Sequence, residues 1–359
     1  AASPDGTLDP AMGIHILDAM SREGFEQVIG VYDRKSGLKA LIAIHDTSVG
    51  PAFGGIRRWS YLSERSGLMD CLRLARAMTH KCVLAGVPGG GAKAVILDEP
   101  GMDLEGAYRH MGMRVEAMGG QFYTGPDVGT DGQALDWLSA ETKYVTSTGA
   151  NGPGDLGGAT AAGAFAGIRA GLRHLDGEPD WKRRRVVIQG LGDVGAKLSA
   201  RLVDVGATVI GTDINVERGQ RVAKEVGFEF VEPADEVGVE CDVFAPCALG
   251  GILHDVTVER LRTRIVAGAA NNVLAKSHHG DLLHERGVLY LPDFVLNAGA
   301  LIRGAFFHLE GRIEGLDSIE HRIETASDEI LGESKASGLP PFRVAVRLAE
   351  KRIAERRNA

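Results

Sequence analysis

Three polar side chains in the first half of the chain, Lys81, Lys93 and Asp127, are of types that can hold an anion or carry a proton. Each lies beside turn residues or an apolar stripe. Lys93 belongs to "AGVPGGGAKAVILD" (residues 85–98), where the preceding glycines suggest a loop cradling phosphate. A nucleotide P-loop needs lysine directly after the last glycine and then a hydroxyl. Here Ala92 intervenes and Ala94 follows, so that reading fails. Asp127 sits in "YTGPDVGTD", a Gly/Pro turn able to present a carboxylate into a cleft. Lys81 follows Met78 by three residues and so projects near the apolar stripe of a helix. Periodicity favours snorkelling to water over placement in a cleft.

The second chemical pattern is "IQGLGDVGAKL", in which Gly190, Gly192 and Gly195 form GxGxxG after a strand and at the start of a helix. The first glycine allows a tight turn, the second admits a pyrophosphate, and the third lets helix pack on strand. The helix N-terminal N–H groups, with Asp193 and Val194 in the first turn, then face the phosphates. Asp213 ends the next strand, where a carboxylate accepts adenosine ribose hydroxyls and repels a 2′-phosphate. Ile214 and Asn215 carry no charge, although Arg218 follows closely. NAD is therefore expected rather than NADP. Asn271, Asn272 and Asn297 stand at successive strand exits, where they can orient a nicotinamide or a small polar substrate.

These residues need a scaffold. "RVVIQ" (185–189), "ATVIGTD" (207–213), "DVFAP" (242–246), "RIVAGAA" (264–270) and "GVLYLP" (287–292) alternate with helical stretches. That alternation predicts a parallel, doubly wound sheet. The N-terminal half is mixed α/β, with a strand at 39–46 and a helix at 66–86. The stretch "GANGPGDLGGATAAG" (149–163) has no apolar period and reads as a hinge. The expected layout is a substrate-binding and oligomerisation domain over residues 1–149 and a Rossmann-type domain over 150–326. A cleft separates them, and C-terminal helices (about 327–359) return to the first domain.

With 359 residues, 44% hydrophobic and 25% charged, the chain has globular composition. A formal charge of −8 argues against nucleic acid or an acidic membrane surface as partner. The one basic run, Lys182 to Arg185, reads as a solvated strand entrance. No apolar run is long enough to span a bilayer, and the polar N-terminus lacks the order of a signal peptide. Four unpaired-looking cysteines suit a reducing cytoplasm. His278, His279 and His284 read as surface residues, and no metal site is expected.

The runs "GPAFGGIRRW", "MTHK", "GGGAK", "TGPDVGT", "GLGDVG", "FAPCALGG", "AGAANN" and "LPDFVLNAG" occur in one order over residues 25 to 300. In this the chain resembles the glutamate/leucine/phenylalanine/valine dehydrogenase family, above all its shorter leucine-, phenylalanine- and tryptophan-type members. The resemblance implies NAD-dependent oxidative deamination of an L-amino acid in a homo-oligomer, with domains that close over the substrate. It implies Lys93 and Asp127 as catalytic groups and Lys81, with Asn271, as holders of the substrate. Gly54 and Gly55 would adjoin it. Phe53, Gly125, Leu301 and Gly304 would form the side-chain pocket, whose two glycines suit a phenylalanine or tryptophan ring. Thr160, Cys247, Ala248, Ala269 and Asn297 would line the cofactor site beside the glycine turn, Asp213 and Ile214. Branched-chain or unusual substrates are the alternative, and a silent NAD-binding regulator is a contrasting class that the intact Lys81, Lys93 and Asp127 argue against. Two departures stand out: Asn297-Ala298-Gly299-Ala300 where the family has NAGG, and Arg303 beside the expected pocket. Arg303 either faces outward or receives a polar group of a larger substrate.

Overall fold

The computed structural model describes residues 16–146, 152–248 and 250–358. The chain divides into two compact units, one of Ala1–Thr79 with Pro88–Ser147 and the other of His80–Val87 with Thr148–Ala359. Residues 1–15, read above for a leader, lie outside the described residues.

The first unit runs through α1 (Ile16–Glu23), β1 (Gln27–Asp33), β2 (Leu38–Ile44), β3 (Ala52–Phe53) and β4 (Ile56–Trp59), then into α2 (Glu64–Leu84). It continues with β5 (Gly90–Leu97), α3 (Leu104–Ala117), β6 (Phe122–Tyr123) and α4 (Gly132–Ser139). The sheet order is β1-β2-β5-β3-β6, with β4 also on β5. Strand alternation sends Leu38, Ile42, Ala94 and Ile96 into a core with Tyr108, Met111 and Leu138 of α3 and α4. The opposite face, with Ala43 and Val95, packs on Leu68, Cys71, Leu72 and Ala75 of α2. Asp103 and Asp131 cap α3 and α4 by accepting from Gly106 N and Ala134 N.

The glycine-lysine stretch is thus not a loop. From Gly90 onward it is β5, the strand that joins the antiparallel and parallel parts of the sheet. A methyl group at Gly91 would lie 2.1 Å from Thr79 N and 2.5 Å from Ala75 O, so glycine lets α2 rest directly on the strand.

The second unit opens with α5 (Leu156–Asp176), capped by Asp155, so the stretch read as a hinge is helical from Leu156 onward. Its residues 149–151 lie outside the described residues. Then follow β7 (Arg185–Gln189), α6 (Asp193–Asp204), β8 (Thr208–Thr212), α7 (Val216–Val226), β9 (Glu229–Phe230), β10 (Cys241–Pro246), α8 (Asp255–Arg260), β11 (Thr263–Val266), α9 (His278–Glu285) and β12 (Leu289–Tyr290). The chain ends in α10 (Asp293–Leu296), α11 (Gly299–Glu310), α12 (Leu316–Ser337) and α13 (Pro341–Asn358). All pairings in the sheet are parallel, in the order β12-β11-β10-β7-β8-β9. The winding direction reverses beside β7, which makes the carboxyl ends of β7 and β10 the switch-point crevice of a dinucleotide fold.

The C-terminal helices differ from expectation: residues 327–359 fall in the second unit, where α12 packs along α5. What they meet of the early sequence is the end of α2, through His80 Nε2 to Glu350 at 2.6 Å, and that end belongs to the second unit as well. Among the described residues, no helix is long and apolar enough to cross a membrane.

Candidate active site

In the first unit, Lys93 projects from the α2 face of β5, and Arg57 from the same face of β4, because their neighbours Ala92, Ala94 and Ile56 point into the other core. The turn after β6 brings Asp127 to both. Lys93 Nζ forms an ion pair with Asp127 Oδ2, and Arg57 lies 3.5 Å from Oδ1. Oδ1 also accepts from Val128 N at 2.7 Å. Arg57 in turn bonds Asp70 at 3.0 Å, where Tyr61 also donates at 2.7 Å. Lys93 is 6% exposed. Burial pulls its pKa below the usual lysine value, Asp127 opposes this, and Arg57 adds to it. Burial pushes the Asp127 carboxyl up, but Lys93, Arg57 and the Val128 N–H outweigh it, so the group stays below the usual carboxylate range. The lysine of this pair thus releases a proton more readily than a free one.

Gly54 and Gly55 bring the β3–β4 connection against this pair. A methyl on Gly54 would lie 1.7 Å from Ala92 O, and one on Gly55 2.9 Å from Asp127 Cβ. Phe53 is buried and stacks on Tyr123 at 5.5 Å, while Gly125 has Thr146 as neighbour at 3.4 Å from an added methyl. Sequence reasoning passed over Arg57, Asp70 and Tyr61, although Arg57 stands within the quoted "GPAFGGIRRW".

In the second unit, Gly190 has φ +99° and an added methyl would lie 2.7 Å from Ala248 Cβ, so Ala248 closes on the turn. Gly195 would strike Gly190 O at 1.9 Å. Gly192 meets nothing within 4 Å and leaves α6 without a side-chain cap, a cradle open to a pyrophosphate. Asp193 is held by Lys197 at 2.6 Å, and Val194 is half-buried. Asp213 accepts from Leu191 N at 2.8 Å and so ties β8 to the turn, while Ile214 is 90% exposed. Cys247, half-buried, has its thiol pushed up to about 12 by burial. Ala269 is buried at the exit of β11, and Thr160 donates to Leu156 O at 3.0 Å within α5.

Asn297 is buried and donates through Nδ2 to Asn271 Oδ1 at 2.7 Å and Ala270 O at 3.3 Å, leaving its Oδ1 without a partner. An orphaned buried acceptor beside the switch point suits a carboxamide donor. With the open glycine turn, it makes the residues present a fit for a nicotinamide dinucleotide. Lys81 is half-buried and its charge acts on Asp293 rather than on solvent alone. Asp293, also missed from sequence, accepts from Val273 N and Phe294 N at 2.7 Å each, pinning the loop where Asn272 adopts φ +52°.

Leu301 and Gly304 lie on α11, half-buried and buried. Arg303 does not face outward: it is buried, and three of its five N–H groups donate to carbonyls, Glu314 O at 2.9 and 3.1 Å and Asp155 O at 2.8 Å. It is a structural tie between α11 and two backbone carbonyls, which corrects the outward-facing reading. His278 and His284 are exposed as expected, and only His279 departs from the surface reading. His279 is buried, and Asp255 completes a group with His278 and His279. His279 Nδ1 accepts from Lys276 N, which places its proton on Nε2, facing Asp255 at 3.0 Å. His284 instead meets Gly338 O.

Residues 26–144 match the family model described as the Glu/Leu/Phe/Val dehydrogenase dimerisation domain, and residues 212–355 match that of Glutamate/Leucine/Phenylalanine/Valine dehydrogenase. The chain is 40% identical to leucine dehydrogenase of Bacillus cereus over 352 residues, covering 97% of this chain and 96% of that one. It is 38% identical to phenylalanine dehydrogenase of Bacillus thermotolerans, covering 92% and 89%. The crystal structure of L-tryptophan dehydrogenase from Nostoc punctiforme superposes with a TM-score of 0.84 at 34% identity, covering 96% of this chain and all of that one.

Proposed function

The chain belongs to the glutamate/leucine/phenylalanine/valine dehydrogenase family, an oxidoreductase of the amino-acid dehydrogenase class, and from this we propose its reaction. An L-amino acid with a bulky apolar side chain, NAD+ and water give the 2-oxo acid, ammonium and NADH, reversibly. The observation that carries the reading is the buried Lys93–Asp127 ion pair flanked by Arg57.

Lys81 supplies a cation for the substrate carboxylate, with Asn271 beside it, and this fixes Cα. Asp127 takes a proton from the substrate ammonium before oxidation. Bound NAD+ would supply the hydride-accepting chemistry at Cα, leaving an imine. Lys93, neutral at this stage, removes a proton from water as its oxygen adds to the resulting imine carbon. Lys93 as ammonium then stabilises the developing charge on oxygen. Asp127 returns its proton to the nitrogen, then takes the hydroxyl proton as the C–N bond breaks and the carbonyl forms; ammonia leaves with that proton as ammonium, and Lys93 releases its own to solvent.

Gly190, Gly192 and Gly195 with the first turn of α6 would hold the pyrophosphate, Asp213 the adenosine ribose, and Asn297 the carboxamide. An aromatic substrate is favoured by the absence of a side chain at Gly125 and Gly304. The buried Phe53 ring and the resemblance to a leucine dehydrogenase favour a second reading, a branched-chain substrate. The match to a dimerisation domain supports a homo-oligomer. The decisive experiment follows NADH formation at alkaline pH with L-phenylalanine, tryptophan, leucine, valine and glutamate. Aromatic preference is expected, branched-chain preference selects the second reading, and no turnover with any of them overturns the proposal.

A further inference from the structure

The carboxylate at the end of β8 is not the bare anion that excludes a 2′-phosphate. Asp213 is 3% exposed and both of its oxygens are occupied. Oδ2 accepts from Leu191 N and Oδ1 from Asn215 N, each at 2.8 Å. Arg218, in the first turn of α7, lies across both, with Nη2 at 2.7 Å from Oδ1 and 2.9 Å from Oδ2, and Nε at 3.3 Å from Oδ2. The guanidinium is 42% exposed against 2% for the carboxylate side chain, so a cation forms the solvent face of the pair. Arg218 is itself seated by the helix cap, since Asn215 Oδ1 accepts from its N–H at 3.0 Å.

We infer that Arg218 makes the adenosine end of this site permissive, so that NADP is bound as well as NAD. This deepens the dinucleotide reading above and rests on it. Discrimination against a 2′-phosphate comes from charge repulsion at this carboxylate. Paired with Arg218, Asp213 contributes almost no net charge, and that repulsion is lost. The guanidinium has five N–H donors in a planar fork, and Nη1 makes no bond to Asp213, so donors remain that match a phosphate. For NAD, the ribose hydroxyls must share Asp213 with Arg218, which weakens the usual advantage. Neither Ile214 nor Asn215 restores a charge.

The test is a fluorescence titration of the whole enzyme with NADH and with NADPH, read as binding. The expected dissociation constants lie within about tenfold of each other, and only that for NADPH weakens steeply with salt. Arg218→Ala should weaken NADPH by about a hundredfold while leaving NADH unchanged or tighter, because a hundredfold corresponds to losing one charge-assisted contact. Arg218→Gln keeps the stem and a hydrogen bond to Asp213, and should show the same selective loss with the fold intact. Wild-type discrimination above about a hundredfold, or equal loss of both ligands in both variants, overturns the inference. Failure of either dinucleotide to bind the wild type overturns the cofactor reading and this inference with it.

Discussion

Burial and the Arg57 guanidinium drive the proton off Lys93, while Asp127 holds it on. Deamination needs the neutral amine, so kcat/KM of the wild type should fall as pH drops through the lowered lysine pKa. Asp127→Asn removes the opposing anion, lowers that pKa further, and should move the acid limb to lower pH. It should also reduce kcat by about 10²–10⁴-fold. A pH–rate profile checks both, and an acid limb that stays in place would exclude Lys93 as the titrating group. Stranding a buried charge costs about 3–5 kcal/mol. Lys93 can escape that penalty by losing its proton, so Asp127→Asn should lose less than this in urea unfolding. Lys93 and Asp127 were legible because glycine and proline surround them in recognisable runs. Arg57 was not, because an arginine on a short strand reads as a solvated edge until the fold shows which face it takes. The burial of Arg303 was hidden for a related reason: its carbonyl partners lie 11 and 148 residues away in sequence.

At the scale of the element, Gly91 decides how α2 meets β5. Gly91→Ala forces a methyl into helix backbone at 2.1–2.6 Å, contacts that no side-chain rotation relieves. We expect at least about 2–3 kcal/mol of destabilisation in urea unfolding. Gly30→Ala, on the open side of β1 where nothing lies within 4 Å, should be nearly neutral. Equal losses would mean that chain entropy rather than contact sets the cost. Five of the six strands of the second unit were legible, since buried β-branched runs bounded by turns have few other readings: β7 spans the expected 185–189, whereas β11 and β12 are shorter than the stretches read for them and β9 was not anticipated. β5 was hidden because three of its first residues are glycine or alanine, which carry no strand signal. The start of α5 was hidden likewise: its small residues give no apolar period, and only the capping Asp155 marks it.

For the molecule as a whole, dinucleotide binding is also a stability term. NADH at about 100 times its dissociation constant should add roughly 2.7 kcal/mol to unfolding, read as a rise in melting temperature. No rise at that concentration would mean that the glycine turn does not bind it. The framework under that turn is α5, with twelve buried residues. Along it Gly163, Gly167 and Gly171 recur every fourth position. Added methyls would meet Ile323 at 2.4 Å, Leu296 at 2.1 Å and Leu291 at 3.1 Å. On the proposed reaction, substrate preference drifts through pocket residues such as Phe53 or Leu301. The central helix has no latitude to give. In a library of random variants, survivors would therefore be missing with a four-residue rhythm along α5, and the route by which this enzyme acquires new substrates runs through every part of it except its axis.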